Sequence, residues 1–284
     1  MILITGATGT NGRELAQALA KKGVPIRALV RNKIKAASLQ QANLTLVEGD
    51  LDKPETLDAA LQGVERAFLL SAVDQRLGKW NRTFISAAQK AGLKHLVKFS
   101  GMGALIDSPC ELMRLHAETD EVLKASGVPY TILQPNSFYQ NMLWAAGSIK
   151  AQGAFYLPVG QARQSLVDVA DICAVSVKVL TTNEHLGKTY EITGPEALTY
   201  AEIAQRIGKT LGKAVNYVDV PVAGAVQSMQ QSGMPEWNAR TLGDLYAVFA
   251  SGSASKVTDT VRLVTGKAPR SFDQFMSENV AAFE

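Results

Sequence analysis

Up to about residue 135 the chain alternates between short apolar runs and longer stretches whose apolar positions recur at helical spacing. The apolar runs are Ile2–Thr5, Pro25–Val30, Leu44–Val47, Ala67–Leu70, His95–Ser100 and Tyr130–Leu133. The stretches with helical spacing include Thr10–Lys22, Thr56–Leu61, Asn81–Ala91 and Glu111–Ser126. This rhythm predicts right-handed βαβ units and a parallel sheet. Strands covered on both faces should be apolar almost throughout, and most of these runs are. Glycines stand where the helices should stop: Gly23 after Lys21-Lys22, Gly92 after Lys90-Ala91 and Gly127 after Ser126.

After Pro135 the rhythm changes. Asn136 to Val159 is rich in aromatics, glycine and turn residues. Helices are predicted at Val169–Leu180 and Tyr200–Leu211, short strands at Lys188–Ile192 and Val215–Val220, and mostly helix from about Val222 to Phe283. The pattern predicts a first unit over 1–135 and a smaller lobe over 136–284, with about 165–195 left open to return to the first sheet. Neither an internal repeat nor a low-complexity segment interrupts it.

Composition narrows the class. Of 284 residues 46% are hydrophobic and 19% charged, enough for a sizeable core and too apolar for a disordered chain. No apolar run reaches the roughly 18–20 residues that span a bilayer. The net charge of +3 is too small to argue for nucleic acid by bulk. Lys21-Lys22 and Lys33 to Lys35 are short pairs and indicate no DNA-reading surface. Cys110 and Cys173 cannot build a disulfide framework or a zinc cluster alone, and His95, His116 and His185 are too scattered to read as a metal site. Met1–Ile4 runs straight into Thr5-Gly6, unlike a signal peptide. The expectation is a reduced, cytoplasmic, globular protein without metal.

The strongest motif is Thr5-Gly6-Ala7-Thr8-Gly9-Thr10-Asn11-Gly12, which leaves the first strand and opens the first helix. Gly6 suits a tight strand exit, Gly9 a close approach of backbone to a pyrophosphate, and Gly12 the packing of helix on sheet. The helix N-terminus adds free N–H groups, so Gly6, Thr8, Gly9, Thr10, Asn11 and Gly12 form a candidate dinucleotide cradle. The fold class expected is α/β, a Rossmann-type doubly wound parallel sheet with a small C-terminal α+β lobe. An NAD site tends to carry an acid at the end of the second strand; here stand Arg31, Asn32, Lys33 and Lys35. A guanidinium binds a 2′-phosphate through paired hydrogen bonds, so Arg31 and Lys35 favour NADP(H) over NAD(H); the competing reading is a solvated basic loop. Asp50 and Leu51 after the third strand suit adenine, or Asp50 caps a helix. Leu70, Ser71 and Ala72 after the fourth leave room for ribose and nicotinamide, or form a plain tight exit.

Together, Thr5–Gly12, Leu29-Val30-Arg31-Asn32, Gly49-Asp50, Ala91–Val97, His116–Asp120, Ser126–Leu133 and Thr265–Phe272 resemble the atypical short-chain dehydrogenase/reductases. The closer resemblance, over nearly the whole chain, is to the NmrA-like subgroup and, within it, to the bacterial NAD(P)H:quinone oxidoreductase and triphenylmethane-dye reductase type. That resemblance implies two classes of function. One is an NADPH-dependent reductase passing hydride to a quinone-like or dye-like acceptor. The other is a non-catalytic NADP-binding redox sensor that binds a protein partner.

Carbonyl-reducing relatives of this superfamily use Tyr-x-x-x-Lys on the helix after the fifth strand, where tyrosine donates a proton. Alignment puts Leu112 at the tyrosine place and His116 at the lysine place, so that chemistry is absent. A quinone or cationic dye is electron-poor enough to accept hydride without it. Ser100 and His116 are the candidate catalytic residues; the competing readings are a strand-end cap and an exposed helix residue. Family members often carry Arg before the proline that ends the sixth strand, where this chain has Gln134. Pro135 and Asn136 are expected over the nicotinamide, with Phe138 walling the cavity and Tyr139, Met142, Trp144 and Met102 adding apolar surface, or simply packing between lobes. Ser253-x-x-Lys256 lacks the partner motifs of serine–lysine chemistry and reads as a chance match. The partner expected is a small, planar, hydrophobic substrate; a homodimer is left open.

Overall fold

The computed structural model describes residues 1–284. In chain order the first elements are β1 (Ile2–Ile4), α1 (Thr10–Lys21), β2 (Ile26–Val30), β3 (Leu44–Glu48), α2 (Glu55–Leu61), β4 (Arg66–Leu69) and α3 (Leu77–Lys90). Then come β5 (His95–Phe99), α4 (Glu111–Ala125), β6 (Tyr130–Pro135), α5 (Ala146–Gln152), β7 (Ala154–Leu157), α6 (Val169–Thr181) and β8 (Lys188–Ile192). The chain ends with α7 (Tyr200–Leu211), β9 (Asn216–Asp219), α8 (Val222–Gln231), α9 (Glu236–Ala250), α10 (Thr260–Thr265) and α11 (Phe272–Asn279).

Seven strands form one parallel sheet in the order β3-β2-β1-β4-β5-β6-β8, and β7 and β9 form a separate parallel pair. The two-residue strand period divides the core: Ile2 and Ile4 pack on the α1, α6 and α10 side, and Leu3 packs with Leu57, Phe84 and Leu123 on the other. β8 joins the sheet beside β6, with Leu133 opposite Tyr190. This is an α/β fold of the Rossmann type, and no helix is long and apolar enough to cross a membrane.

A second core fills the smaller lobe. Tyr139, Met142, Ile149, Phe155, Tyr200, Ile203, Phe272 and Phe275 meet there. The predicted elements hold, with three differences. α3 begins at Leu77, four residues before Asn81. Tyr139–Ala145 is 3-10 helix and leads into α5 rather than into turns. β7 was not anticipated, because four residues between Gly153 and Pro158 are too few to display a period.

The lobes are fastened at the N-terminus of α6. Asp168 caps that helix through Ala170 N–H at 3.0 Å and accepts from Gln140 Nε2 at 2.7 Å and from Arg270 Nε at 2.8 Å. The neighbouring Asp171 accepts the Arg270 backbone N–H at 2.7 Å. Burial raises the Asp171 carboxyl to about 6, opposed by that hydrogen bond.

Candidate functional site

Parallel strands deliver their exits to one edge of the sheet, where open α/β folds bind ligands. The Gly6–Gly12 loop, Arg31, Asp50, Leu70–Ala72, Ser100 and Pro135 all lie at or just beyond the carboxyl ends of β1 to β6. A depression lined by Asp58, Gln62, Glu65, Lys90 and Lys94 lies at the opposite, amino-terminal edge, and its lysines pair with Asp58 and Glu65.

The three glycines of the first loop have different reasons to be glycine. Gly6 has φ +64°, and a Cβ there would lie 2.8 Å from the Leu70 carbonyl oxygen. At Gly12 a Cβ would lie 2.3 Å from the Gly6 carbonyl oxygen. Both positions are closed by the protein's own backbone. At Gly9 a Cβ would meet only the Gly6 carbonyl oxygen, at an ordinary 3.5 Å, and the backbone is extended, with φ −84° and ψ 172°. The fold therefore has no need of glycine at position 9. Gly9 is the exposed N-cap of α1, without a side-chain cap and with no acid in the first turn, so the helix end keeps its positive character. Thr8 and Thr10 are exposed beside it, and the buried Asn11 Oδ1 has no partner in the protein. Thr5 Oγ1 accepts from Leu70 N–H at 2.8 Å, tying the β1 and β4 exits together.

Arg31, Lys33 and Lys35 are exposed, and none forms an ion pair within the chain. The Lys35 N–H donates to Asn32 Oδ1 at 3.0 Å, which closes the turn and leaves the cationic groups outward. Asp50 does not cap α2, whose N-cap is Pro54. Its Oδ1 instead accepts the Asp52 N–H at 3.0 Å, and Leu51 sits half-buried in that turn. Arg76 clamps the β3 and β4 exits, bonded to Asp52 at 2.9 Å and Asp74 at 2.8 Å, with its guanidinium 4.6 Å from the Trp80 ring centre. Ser71 Oγ donates to Asn81 Oδ1 at 2.6 Å, and Ala72 is exposed.

The densest polar cluster lies where β5, α4 and β6 meet. Lys98, wholly buried in β5, bonds Asp120 Oδ1 through Nζ at 2.6 Å. Ser100 Oγ donates to Asp120 Oδ2 at 2.8 Å, and Gln134 Nε2 donates to the same oxygen at 3.1 Å. Lys98 Nζ also reaches the His116 carbonyl oxygen at 3.4 Å. Ser100 is thus fixed to a carboxylate rather than capping its own turn. His116 is half-buried, and its Nδ1 is enclosed without a partner. Burial, then the Lys98 charge, holds its imidazole well below the ordinary range, so it is neutral at neutral pH. Leu112, one turn earlier on α4, is buried and offers no proton. Sequence reasoning missed Lys98 and Asp120 as a pair; the available signal was a lysine inside an otherwise strand-like run.

The β6 exit departs from expectation in part. Pro135 is buried and its carbonyl oxygen accepts the Met102 N–H at 3.0 Å. Asn136 turns inward: its amide donates to Ser165 Oγ and to the Ala254 carbonyl oxygen, both at 2.9 Å. Its side chain is spent on joining three segments. Phe138 stands half-buried, edge-on to Phe99 at 6.3 Å. Tyr139 and Met142 are core rather than cleft wall, Tyr139 packing 5.2 Å from the Phe272 ring. Trp144 is 77% exposed.

Comparison with known proteins agrees with this fold. A model of the NmrA-like family matches residues 1–276. An NAD(P)H azoreductase of Xenophilus azovorans is 38% identical over 283 residues, covering 100% of this chain and 99% of the relative. Among solved structures, the NADPH-dependent quinone oxidoreductase of Escherichia coli complexed with NADPH superposes with a TM-score of 0.90 at 31% identity, covering 99% of this chain and 100% of that one. The Citrobacter sp. triphenylmethane reductase complexed with NADP(H) gives 0.86 at 26% identity, covering 98% and 99%.

Proposed function

The chain belongs to the NmrA-like family, and from that premise we propose that it is an NADPH-dependent reductase that delivers hydride to a planar, hydrophobic acceptor of the quinone or dye class. The observation that carries this reading is the make-up of the cleft edge. A helix N-terminus left open at Gly9 and an unpaired Arg31 suit a phosphorylated dinucleotide, while Leu112 and a neutral His116 leave the tyrosine and lysine places of α4 without a catalytic acid.

Bound NADPH would supply the hydride. The unbonded residues fit it: the Gly9 surface and first-turn N–H groups of α1 suit a pyrophosphate, and Asn11 Oδ1 is an enclosed acceptor still lacking a donor. Arg31 and Lys35 hold the 2′-phosphate, which an NAD-preferring acid would repel. Asp50 keeps Oδ2 free for the adenine amino group, and Leu51 covers the ring. Leu70, Ser71 and Ala72 border the ribose and nicotinamide, and Pro135 and Phe138 wall the acceptor side. Asn136 supports that wall from behind rather than touching the ligand. The catalytic contribution is orientation and the exclusion of water, with Ser100 and His116 at the reacting end. An electron-poor acceptor needs no strong acid at the hydride step, and the proton that completes a hydroquinone comes from water.

The test is to mix protein and NADPH with a panel of quinones, azo dyes and triphenylmethane dyes and to follow loss of reduced-nicotinamide absorbance. Turnover is expected with NADPH in preference to NADH. Tight NADPH binding without turnover on any acceptor would replace this reading with a non-catalytic NADP-binding sensor.

A further inference from the structure

The Lys98–Asp120 pair is a poor source of stability. Lys98 lies in the middle of the sheet, level with Leu69 on β4 and Ile132 on β6, and its side chain is 0% exposed, with Asp120 at 4%. Desolvating two charges costs about what their attraction returns, and apolar residues of similar volume in place of both partners often serve as well or better. What the pair does do is fix the carboxylate. Oδ1 is taken by Lys98, and Oδ2 takes the hydroxyl proton of Ser100 and an amide proton of Gln134. Ser100 has one hydroxyl proton, and it is committed; only lone pairs remain.

We propose that Lys98 is a positioning residue that, through Asp120, sets Ser100 as a hydrogen-bond acceptor for a donor group at the nicotinamide-nucleoside end of the dinucleotide. The partner chemistry is a ribose hydroxyl or a carboxamide N–H, not the oxygen of the hydride acceptor. Without the ammonium, Asp120 is a buried carboxylate lacking its counter-ion; it takes up a proton, and its O–H turns toward Ser100. Ser100 then has its own proton to donate, and its polarity toward the ligand is reversed. The inference rests on the placement of Ser100 beside the nicotinamide in the function proposed above.

A double-mutant cycle tests it, with NADPH affinity measured by calorimetry on the full-length chain and melting temperature measured without cofactor. Ser100→Ala and Lys98→Met are each expected to weaken NADPH about tenfold, the scale of one lost hydrogen bond to a buried group. The double variant is expected to be no weaker than the weaker single, because Lys98 acts only through Ser100. Lys98→Met is expected to melt below the parent, because it leaves the buried Asp120 without its counter-ion. Asp120→Asn, which turns an amide N–H toward Ser100, should reproduce the loss and serves if Lys98→Met does not fold. Parental affinity in Lys98→Met, with Ser100→Ala weakened, overturns the proposal and leaves the placement of Ser100 standing. Additive losses overturn it too, since Lys98 would then act on its own. Parental affinity in Ser100→Ala removes the placement itself, and the proposal with it.

Discussion

Replacing Gly9 by alanine separates what the phosphate loop does for the fold from what it does for a ligand. Within the protein the new methyl group meets only the Gly6 carbonyl oxygen at 3.5 Å, and its backbone angles suit any residue. Two small terms then act on the free protein. The stiffer unfolded chain stabilises by about 0.4–1 kcal/mol. Alanine as an N-cap is worse than glycine by about 0.5–1 kcal/mol. They nearly cancel, so the melting temperature should stay within about 2 °C of the parent. The methyl group does occupy the space a pyrophosphate needs to reach the α1 N-terminus. Losing one or two charge-assisted hydrogen bonds there, about 1.5–3 kcal/mol each, weakens NADPH on the order of 100-fold. NADPH at about 100 times the parental Kd stabilises the parent by about 2.7 kcal/mol and the variant by about 0.4 kcal/mol. A thermal-shift assay should therefore read a ligand-induced rise of about 5–10 °C for the parent and about 1 °C for Gly9→Ala. A variant that keeps the full rise refutes the assignment of Gly9 to the pyrophosphate. A free protein that melts more than about 4 °C lower refutes the steric reasoning.

Gly12→Ala should behave in the opposite way, because its Cβ would lie 2.3 Å from backbone; a loss of about 1–3 kcal/mol is expected by chemical denaturation, before any ligand is added. Arg31→Ala should weaken NADPH by about 10- to 100-fold and NADH by less than about threefold, and equal losses would remove the 2′-phosphate role. His95 is pushed down to about 4 by burial, then by the Arg66 and His185 charges. Its folded value lies below the unfolded 6.5, so its contribution is complete above pH 6.5 and falls as the pH drops toward 4. By pH 5 about 2 kcal/mol is lost, and His95→Gln should shrink the difference in melting temperature between pH 7 and pH 5 by several degrees; an unchanged difference would refute the assignment.

The sheet was legible because its strands are covered on both faces, so β1 to β6 read as apolar runs without tertiary information. The glycine loop was legible for a related reason: glycines spaced between a strand and a helix mark a tight exit and a close helix–sheet approach, which the backbone requires at Gly6 and Gly12. The distinction between Gly9 and its neighbours was not legible, since it depends on what a Cβ would meet across the fold. Lys98 and Asp120 lie 22 positions apart and become a pair only through the β5–α4–β6 packing. Whether Tyr139 and Met142 line the cleft or pack between the lobes was not legible, because an aromatic-rich segment does not say which side of it faces the second core. The inward turn of the Asn136 side chain was not legible because its partners, Ser165 and Ala254, come from far along the chain.

The late arrival of β8 has a consequence for synthesis on the ribosome. β6 is an internal strand of the finished sheet, yet its outer neighbour is the last strand of that sheet to be made, ending at Ile192. Until then a nascent chain carries β6 with open N–H and C=O groups along one side, and until Thr181 is made it also carries α1 without α6, the helix that covers it. The window for wrong pairing thus stays open for more than fifty residues of elongation after Pro135. A chain cut at about residue 135 should aggregate rather than yield a small nucleotide-binding module, and a chaperone that shields an unpaired strand edge has its natural moment of action there.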